Sequence, residues 1–502
     1  MPDRHAALPA ERIAVIDVGS NSLRLVVFER VGGTLLQMLN EKVMCGLGRG
    51  IAATGRLHPE GIALAFANLD RFVALARALE ADHLAILATA AVREASDGRA
   101  FAAEAERRCG VPVRIIDGAE EAQLSATGVL AGIPDADGVV GDLGGGSVEL
   151  IPVSRGIGSG VTLPLGPLRL AEAGDTVKSV VEAIDRELAR TEVLKAASGK
   201  TLYLVGGAWR AIARLHMEQS RYPLHIIHEY TISRRQADGF LDVIGRQSKR
   251  SLERILTINR KRLELVPLAG LVLRRLIAAG RPDRITFSAF GLREGYAHRL
   301  IPAGERDADP LIAACRAMAR CQGCLRIDGD RLHEWVEGLF PGLSAPARRL
   351  HHATCWLADI GWAEHPDYRA EQAFTRSLRM PLAGLAHADR VFVATALHAR
   401  YGGAPDDPLK EATSILIDDR AAGRARALGL ALRLAYTLCG GAFRLLDEVA
   451  LRLEGGRLTL ETPAEAGPFA GDIVQRRLDA LARALGVPVR LRRRASRSPV
   501  PA

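Results

Sequence analysis

The residues of this chain best suited to chemistry lie in two stretches that could hold a phosphate. Ile13-Ala-Val-Ile-Asp17-Val-Gly19-Ser20-Asn21-Ser22 has a counterpart in Val139-Val-Gly-Asp142-Leu-Gly144-Gly145-Gly146-Ser147. Each reads as a strand that reaches an Asp, turns through Gly and Ser, and continues into a second strand, over residues 23–28 and 148–153. Glycines let consecutive backbone N–H groups turn toward one anion, and a carboxylate at a strand end can hold a Mg²⁺ that offsets phosphate charge. One glycine run alone is an ordinary turn, but two matched units about a domain length apart form an internal repeat. Gly144, Gly145, Gly146 and Ser147 supply backbone donors, and Ser20, Asn21 and Ser147 add hydroxyl and amide groups. A third turn, Gly206-Gly207-Ala208, follows a strand and opens a helix, where a helix N-terminus faces an anion.

Charged side chains complete the set. Asp142 and Glu149 flank the triglycine turn. Ser147 and Glu149 are two apart on an extended strand and emerge on one face, so Asp142 and Glu149 can reach one hard cation. Asp17, the pseudo-equivalent of Asp142, reads either as a further metal or water ligand or as an Asx-turn residue. Arg93 follows the 84–88 strand, and its guanidinium fork matches two phosphate oxygens; a surface pair with Glu94 is the alternative. Glu120-Glu121 stands at a strand-to-helix junction, where acids favour the helix N-terminus, a capping role that suits Glu120. Hydrolysis of a phosphoanhydride also needs a group that positions and deprotonates water.

The elements that must position these residues alternate. Over the first 300 positions short β-type runs, at 13–16, 23–28, 84–88, 113–116, 138–142, 148–153, 202–205 and 284–287, are separated by helical patterns, the mark of an α/β architecture. Residues 307–446 are rich in Ala, Leu and Arg and helical throughout. Beyond them, Gly455-Gly456 is a hairpin signal and 472–485 returns to helix, a small α+β module.

The chain resembles the actin-like phosphotransfer superfamily over residues 12–300. More narrowly, Asp17-Val-Gly-Ser-Asn-Ser22, Ala88-Thr-Ala-Ala-Val-Arg93-Glu-Ala95, Gly118-Ala-Glu-Glu-Ala122, Gly141-Asp-Leu-Gly-Gly-Gly-Ser-Val-Glu149 and Ser288-Ala-Phe-Gly-Leu-Arg-Glu-Gly295 resemble the motif set of the exopolyphosphatase / guanosine pentaphosphate phosphatase family. The resemblance implies two tandem actin-like (ribonuclease H-like) domains, 1–130 and 131–304. After them it implies an all-α HD-like domain, 305–440, and a small α+β module with a basic tail, 441–502. It implies a Mg²⁺-dependent hydrolase of terminal phosphoanhydride bonds in inorganic polyphosphate, with guanosine pentaphosphate as the alternative substrate, and it puts the general base on Glu121. An actin-like kinase or ATPase fits less well with a water-activating base, and a non-catalytic polyphosphate sensor has no need of one. A homodimer through the C-terminal domains rests on the resemblance alone. None of the 13 His is followed by Asp, so the HD-like region is expected to lack an active metal site, with His351, His352, Asp359 and His398 as packing or network residues. Arg349 and Arg400 read as lining for a polyanion channel or as solvated helix faces.

Composition excludes other classes. Hydrophobic residues make up 48% and charged residues 25% of the 502, ordinary globular values. No apolar run approaches a membrane span, and residues 1–12 lack a signal-peptide pattern, so a cytoplasmic location is the expectation. The net charge of +9 owes much to Arg490, Arg492, Arg493, Arg494 and Arg497, read as a disordered end; no aromatics interleave there for base stacking, against a specific nucleic-acid binder. Seven Cys, an odd number thinly spread, read as reduced thiols. Cys321-Gln-Gly-Cys324 has no second pair to make a zinc site, so helix packing is its expected role.

Overall fold

The computed structural model describes residues 11–172, 176–246, 265–306, 308–322, 327–404, 411, 413–465 and 467–494. The chain divides into two compact units, Met1–Pro310 and Leu311–Ala502.

The first unit is built on two sheets. β1 (Glu11–Val18), β2 (Leu23–Val31), β3 (Thr34–Val43), β4 (His83–Ala88) and β5 (Val113–Ile115) stand in the order β3-β2-β1-β4-β5. β6 (Gly138–Leu143), β7 (Val148–Val153), β8 (Val161–Leu163), β9 (Thr201–Val205), β10 (Tyr230–Ser233) and β11 (Arg284–Phe287) stand in the order β10-β11-β9-β6-β7-β8. In each sheet an antiparallel hairpin, β1–β2 or β6–β7, lies against a parallel strand, β4 or β9. The sequence repeat is therefore a repeat of topology. Ile13, Ala14, Val15 and Ile16 are all fully buried, as a central strand covered on both faces must be; such a strand reads as an apolar run rather than an alternation. The expected strands are present, with β3, β8 and β10 in addition. β3 escapes a pattern reading because it is an edge strand, carrying Gln37, Asn40, Glu41 and Lys42.

Two helices of this unit cross at backbone distance. A Cβ on Gly295, in the helix Leu292–Arg299, would lie 1.8 Å from the Leu124 carbonyl oxygen of the helix Gly118–Gly132, and one on Gly128 would lie 2.0 Å from that of Gly291. Only glycine permits this approach.

The second unit is helical over its described residues from 311 to 446. β12 (Ala450–Glu454) and β13 (Arg457–Thr462) then form a hairpin whose two-residue turn, Gly455-Gly456, has φ of 57° and 70°. The structure corrects the reading of the basic tail: Val489–Arg493 is a strand, β14, parallel to β13. Glu461 on β13 makes this tolerable, since Arg452, Arg492 and Arg494 all approach it within 4.0 Å. Arg497, Cys324 and the Cys321 side chain lie outside the described residues. Cys45, Cys109, Cys315, Cys355 and Cys439 are buried free thiols. Among the described residues no helix is long and apolar enough to cross a membrane.

Candidate active site

The two hairpins of the first unit turn alike. Residues 19–22 join β1 to β2 and residues 144–147 join β6 to β7; in each, the leading Gly N–H donates to the closing Ser carbonyl, at 3.1 and 3.0 Å. Beyond those bonds, the N–H groups of Gly145 and Gly146 have no protein partner among the described residues, which leaves two adjacent donors for an anion. The hairpin tips nearly touch. A Cβ on Gly145 would stand 3.0 Å from the Ser20 Cβ and 2.9 Å from Leu168 Cδ1, so a side chain there would have to push one tip aside.

A cleft of about 170 Å³ opens between the hairpins. Asp17, Ser20, Asn21, Glu121, Asp142, Gly144, Gly145 and Ser147 line it. Gly146 faces a smaller neighbouring pocket. Arg93 and Glu149 stand one hydrogen bond behind the wall: Arg93 Nη1 donates to Glu121 Oε2 at 2.9 Å, and Ser147 Oγ donates to Glu149 Oε1 at 2.7 Å. The second bond confirms that Ser147 and Glu149 share a face. Arg93 also donates to the Ile116 carbonyl and keeps a buried Nη2 without a partner among the described residues; Glu94 pairs instead with Arg169. Glu121 sits in the first turn of the helix Gly118–Gly132, whose N-cap is Asp117, accepting from the Glu120 N–H at 2.8 Å. The capping expected of Glu120 thus falls to Asp117, whose shorter side chain reaches back to the N3 amide, while Glu120 pairs with Arg114.

Strand register sets the charges of the two hairpins apart. Asp17 lies opposite Arg24, whereas at the equivalent position Asp142 lies opposite Glu149. Directly opposed residues of an antiparallel pair point to one side, so the first hairpin presents an acid with a base and the second presents two acids. Burial pushes Asp142 upward, against a hydrogen bond donated by the Ser125 hydroxyl. Glu149, 1% exposed, is raised well above the carboxylate range by burial and by the nearby Glu121, and its Oε2 has no partner among the described residues. Burial likewise pushes Glu121 up to about 7, with Arg93 opposing. Asp17 Oδ2 accepts from Arg293 Nη1 at 2.7 Å.

These raised values make a stability prediction. A carboxyl whose folded pKa exceeds its unfolded one favours the fold at low pH, and that contribution is lost as pH rises through the folded value. In the metal-free protein Glu121, pushed up to about 7, therefore contributes more to stability near pH 5 than at pH 8, while buried His351, pushed down to about 3, acts in the opposite sense. At pH 8 Glu149→Gln, which removes a buried ionisable group without a full set of partners, should melt at least about 2 °C above wild type in a thermal scan. A variant melting below wild type at pH 8 would refute the burden assigned to Glu149.

Four basic residues of the cleft went unassigned in the sequence: Arg24, Lys42, Arg210 and Arg293. Arg24 on β2 faces Lys42 on β3 and donates to Asn40 Oδ1 at 2.7 Å. Arg210 follows the third glycine turn and donates to the Ser288 and Ala289 carbonyls. Burial, then the charges of Arg293 and Arg210, push Arg24 down to about 9, and burial with Arg293 pushes Arg210 down to about 10. Arg24 had a signal, its position seven residues after Asp17, equivalent to Glu149 after Asp142. Lys42 had none while β3 was unseen.

In the second unit His351 is 1% exposed between the rings of Phe340 and Phe392, and burial pushes it down to about 3. His352 bonds Asp330 at 2.7 Å, Asp359 is buried, and His398 lies against Phe374. Arg349 donates to the Gly384 carbonyl and Arg400 stacks on Tyr401 and Tyr436. Among the described residues no group of three or more His, Cys, Asp or Glu gathers as a metal cage in either unit. The shared site expected of Asp17, Asp142 and Glu149 is thus not drawn together as a three-carboxylate cluster; the bond from Arg293 holds Asp17.

Comparison with known proteins converges on one family. Residues 342–491 match the family described as exopolyphosphatase, C-terminal. The chain is 30% identical over 243 residues to exopolyphosphatase 2 of Mycobacterium tuberculosis, covering 42% of this chain and 76% of that protein. Among solved structures, an exopolyphosphatase from Cytophaga hutchinsonii superposes with a TM-score of 0.53 at 23% identity, over 58% of this chain and 98% of that one. The Aquifex aeolicus Ppx/GppA family member gives 0.51 at 22%, over 60% and 100%. These structures share the fold of the first unit's α/β region. Residues 26–303, more than half of the chain, match the Ppx/GppA phosphatase family itself, and the chain belongs to that family.

Proposed function

We propose that this phosphoanhydride hydrolase is an exopolyphosphatase, releasing orthophosphate from the end of inorganic polyphosphate. The observation that carries the reading is the cleft's convergence of Arg24, Lys42, Arg210 and Arg293, cations close enough to depress Arg24 and Arg210, beside the unpaired N–H groups of two glycines. Such repulsion is relieved by a ligand with several negative charges in a row. The terminal phosphate would take the Gly145 amide, with Arg93 adding positive charge from behind Glu121; Ser20 and Asn21 hold it from the facing hairpin, and Arg24, Lys42 and Arg210 receive the phosphates behind it.

Water then attacks the terminal phosphorus. A new P–O bond forms as the bridging P–O bond breaks, the electron pair leaves on the shortened chain, and the water's proton passes to Glu121. A divalent cation such as Mg²⁺ would offset charge on the phosphoryl oxygens during this exchange. The residues fit such an ion: Glu149 keeps an orphaned, buried carboxylate oxygen beside Asp142, and Mg²⁺ commonly binds through one or two carboxylates, completing its shell with water and phosphate oxygens.

The test is orthophosphate release by the purified chain with Mg²⁺ from long-chain polyphosphate, guanosine pentaphosphate and ATP. Polyphosphate should be turned over with the highest kcat/KM. Release from guanosine pentaphosphate alone would transfer the same machinery to a nucleotide substrate, and release from none would leave a binding protein.

A further inference from the structure

The Ser288–Gly295 motif enters the proposed hydrolysis only through the charge of Arg293, and it places that side chain in the wall of the cleft. Arg293 lies in the first turn of the helix Leu292–Arg299 and is 9% exposed. Its Nη1 donates to Asp17 Oδ2 at 2.7 Å, and its buried Nε has no partner among the described residues. A Cβ on Gly291, two residues before it, would stand 3.9 Å from Asp142 Oδ2. The guanidinium is therefore bonded to the aspartate of the first hairpin and acts electrostatically on that of the second. The backbone-level crossing at Gly128 and Gly295 fixes its helix, and Glu294 ties the helix start by accepting from the Gly291 N–H at 2.9 Å. Burial alone would weaken the guanidinium's hold on its proton, but Glu294, Asp17 and Asp142 together hold it up.

Two aspartates brought toward each other in a buried cleft repel unless a cation stands between them. That cation can be a metal ion or a side chain, and here the Arg293 guanidinium, bonded to Asp17, already supplies one. We propose that Arg293 is a positioning residue that acts as a fixed internal cation bonded to Asp17, holding Asp17 out of metal coordination so that the cleft takes a single divalent ion on its Asp142–Glu149 side. The inference rests on the phosphoanhydride-hydrolase reading for its meaning, and its test does not depend on turnover.

The test is Mn²⁺ binding to the purified chain, followed by electron paramagnetic resonance of the free ion. Wild type should bind one Mn²⁺ per chain in the cleft, and Asp17→Asn should bind one with affinity within about threefold of wild type, whereas loss of a true ligand costs tenfold or more. Arg293→Gln should gain a second Mn²⁺, because Asp17 is released, and Arg293→Lys should return the count to one. In steady state Arg293→Gln should lose kcat with little change in the polyphosphate KM, the pattern of a displaced reacting group rather than a lost substrate contact. Two Mn²⁺ in wild type, a tenfold loss of affinity in Asp17→Asn, or an unchanged count in a folded Arg293→Gln would each overturn the proposal. Should Arg293→Gln fail to fold, wild type and Asp17→Asn still decide it. A chain with the expected Mn²⁺ pattern that hydrolyses no polyphosphate would refute the functional reading alone, and an active chain losing Mn²⁺ in Asp17→Asn would refute this inference alone.

Discussion

Glu121→Gln should keep its KM for polyphosphate within about threefold of wild type while kcat falls by at least about a hundredfold, read as orthophosphate release in steady state. The amide has the shape of the carboxylate and still offers Arg93 an acceptor, so the site should stay assembled. What it cannot do is take the proton that water loses as it bonds to phosphorus. The surroundings of Glu121 suit that proton transfer, since burial pushes the carboxyl up to about 7 and the ion pair with Arg93 at 2.9 Å opposes the rise. A base with a pKa near the working pH is ionised in a useful fraction and still binds a proton well. The pH profile follows in sign. Below the folded pKa Glu121 is protonated and unable to accept, so kcat/KM should fall about tenfold per pH unit on the acid side and level off above it. A Glu121→Gln protein that keeps a tenth or more of wild-type kcat would take Glu121 out of the proton transfer.

What the sequence disclosed, and what it withheld, divides along a physical line. The hairpins were legible because strand, Asp, glycine turn and strand are contiguous, and local chemistry dictates how such a segment folds. Asp142, Glu149, Ser147 and the glycines could therefore be placed relative to one another, and the Ser147–Glu149 bond is where the alternation of a strand puts it. Arg24, Lys42, Arg210 and Arg293 come from four separate stretches and meet only through sheet register and helix packing. Arg293 in particular depends on glycines at 128 and 295, which look like ordinary helix residues until the two helices cross. The bond from Arg293 to Asp17 was invisible for the same reason, and so the two aspartates of the repeat looked alike in the sequence although the structure gives them different neighbours. The strand at Val489–Arg493 failed for a related cause: five arginines near a chain end suggest mutual repulsion, but Glu461 arrives from another strand to relieve it.

Arg24→Glu should raise the KM for polyphosphate by about a hundredfold or more, measured as orthophosphate release over a range of chain concentrations, with matching loss of binding at low salt. The reason lies in the one position where the two halves of the repeat differ most. The hairpins share strand pairing, turn length and the closing hydrogen bond, and each carries an Asp at the same place. Opposite that Asp the first has Arg24 and the second Glu149, so under the proposed function Arg24 would meet substrate oxygens and the Asp142–Glu149 pair would meet a cation. Arg24→Glu gives the first hairpin the acid pair of the second. It removes charge-assisted hydrogen bonds to phosphate, each worth about 1.5–3 kcal/mol, and puts a carboxylate where the polyanion must pass. The loss should exceed that of Arg24→Ala, which only removes the bonds, and the KM of Arg24→Ala should lie between the two. Arg210 and Lys42 remain in place, so binding is weakened rather than abolished and stays steeply dependent on salt. A KM for Arg24→Glu within threefold of wild type would show that the substrate enters along another wall of the cleft, and the division of labour between the hairpins would fall with it.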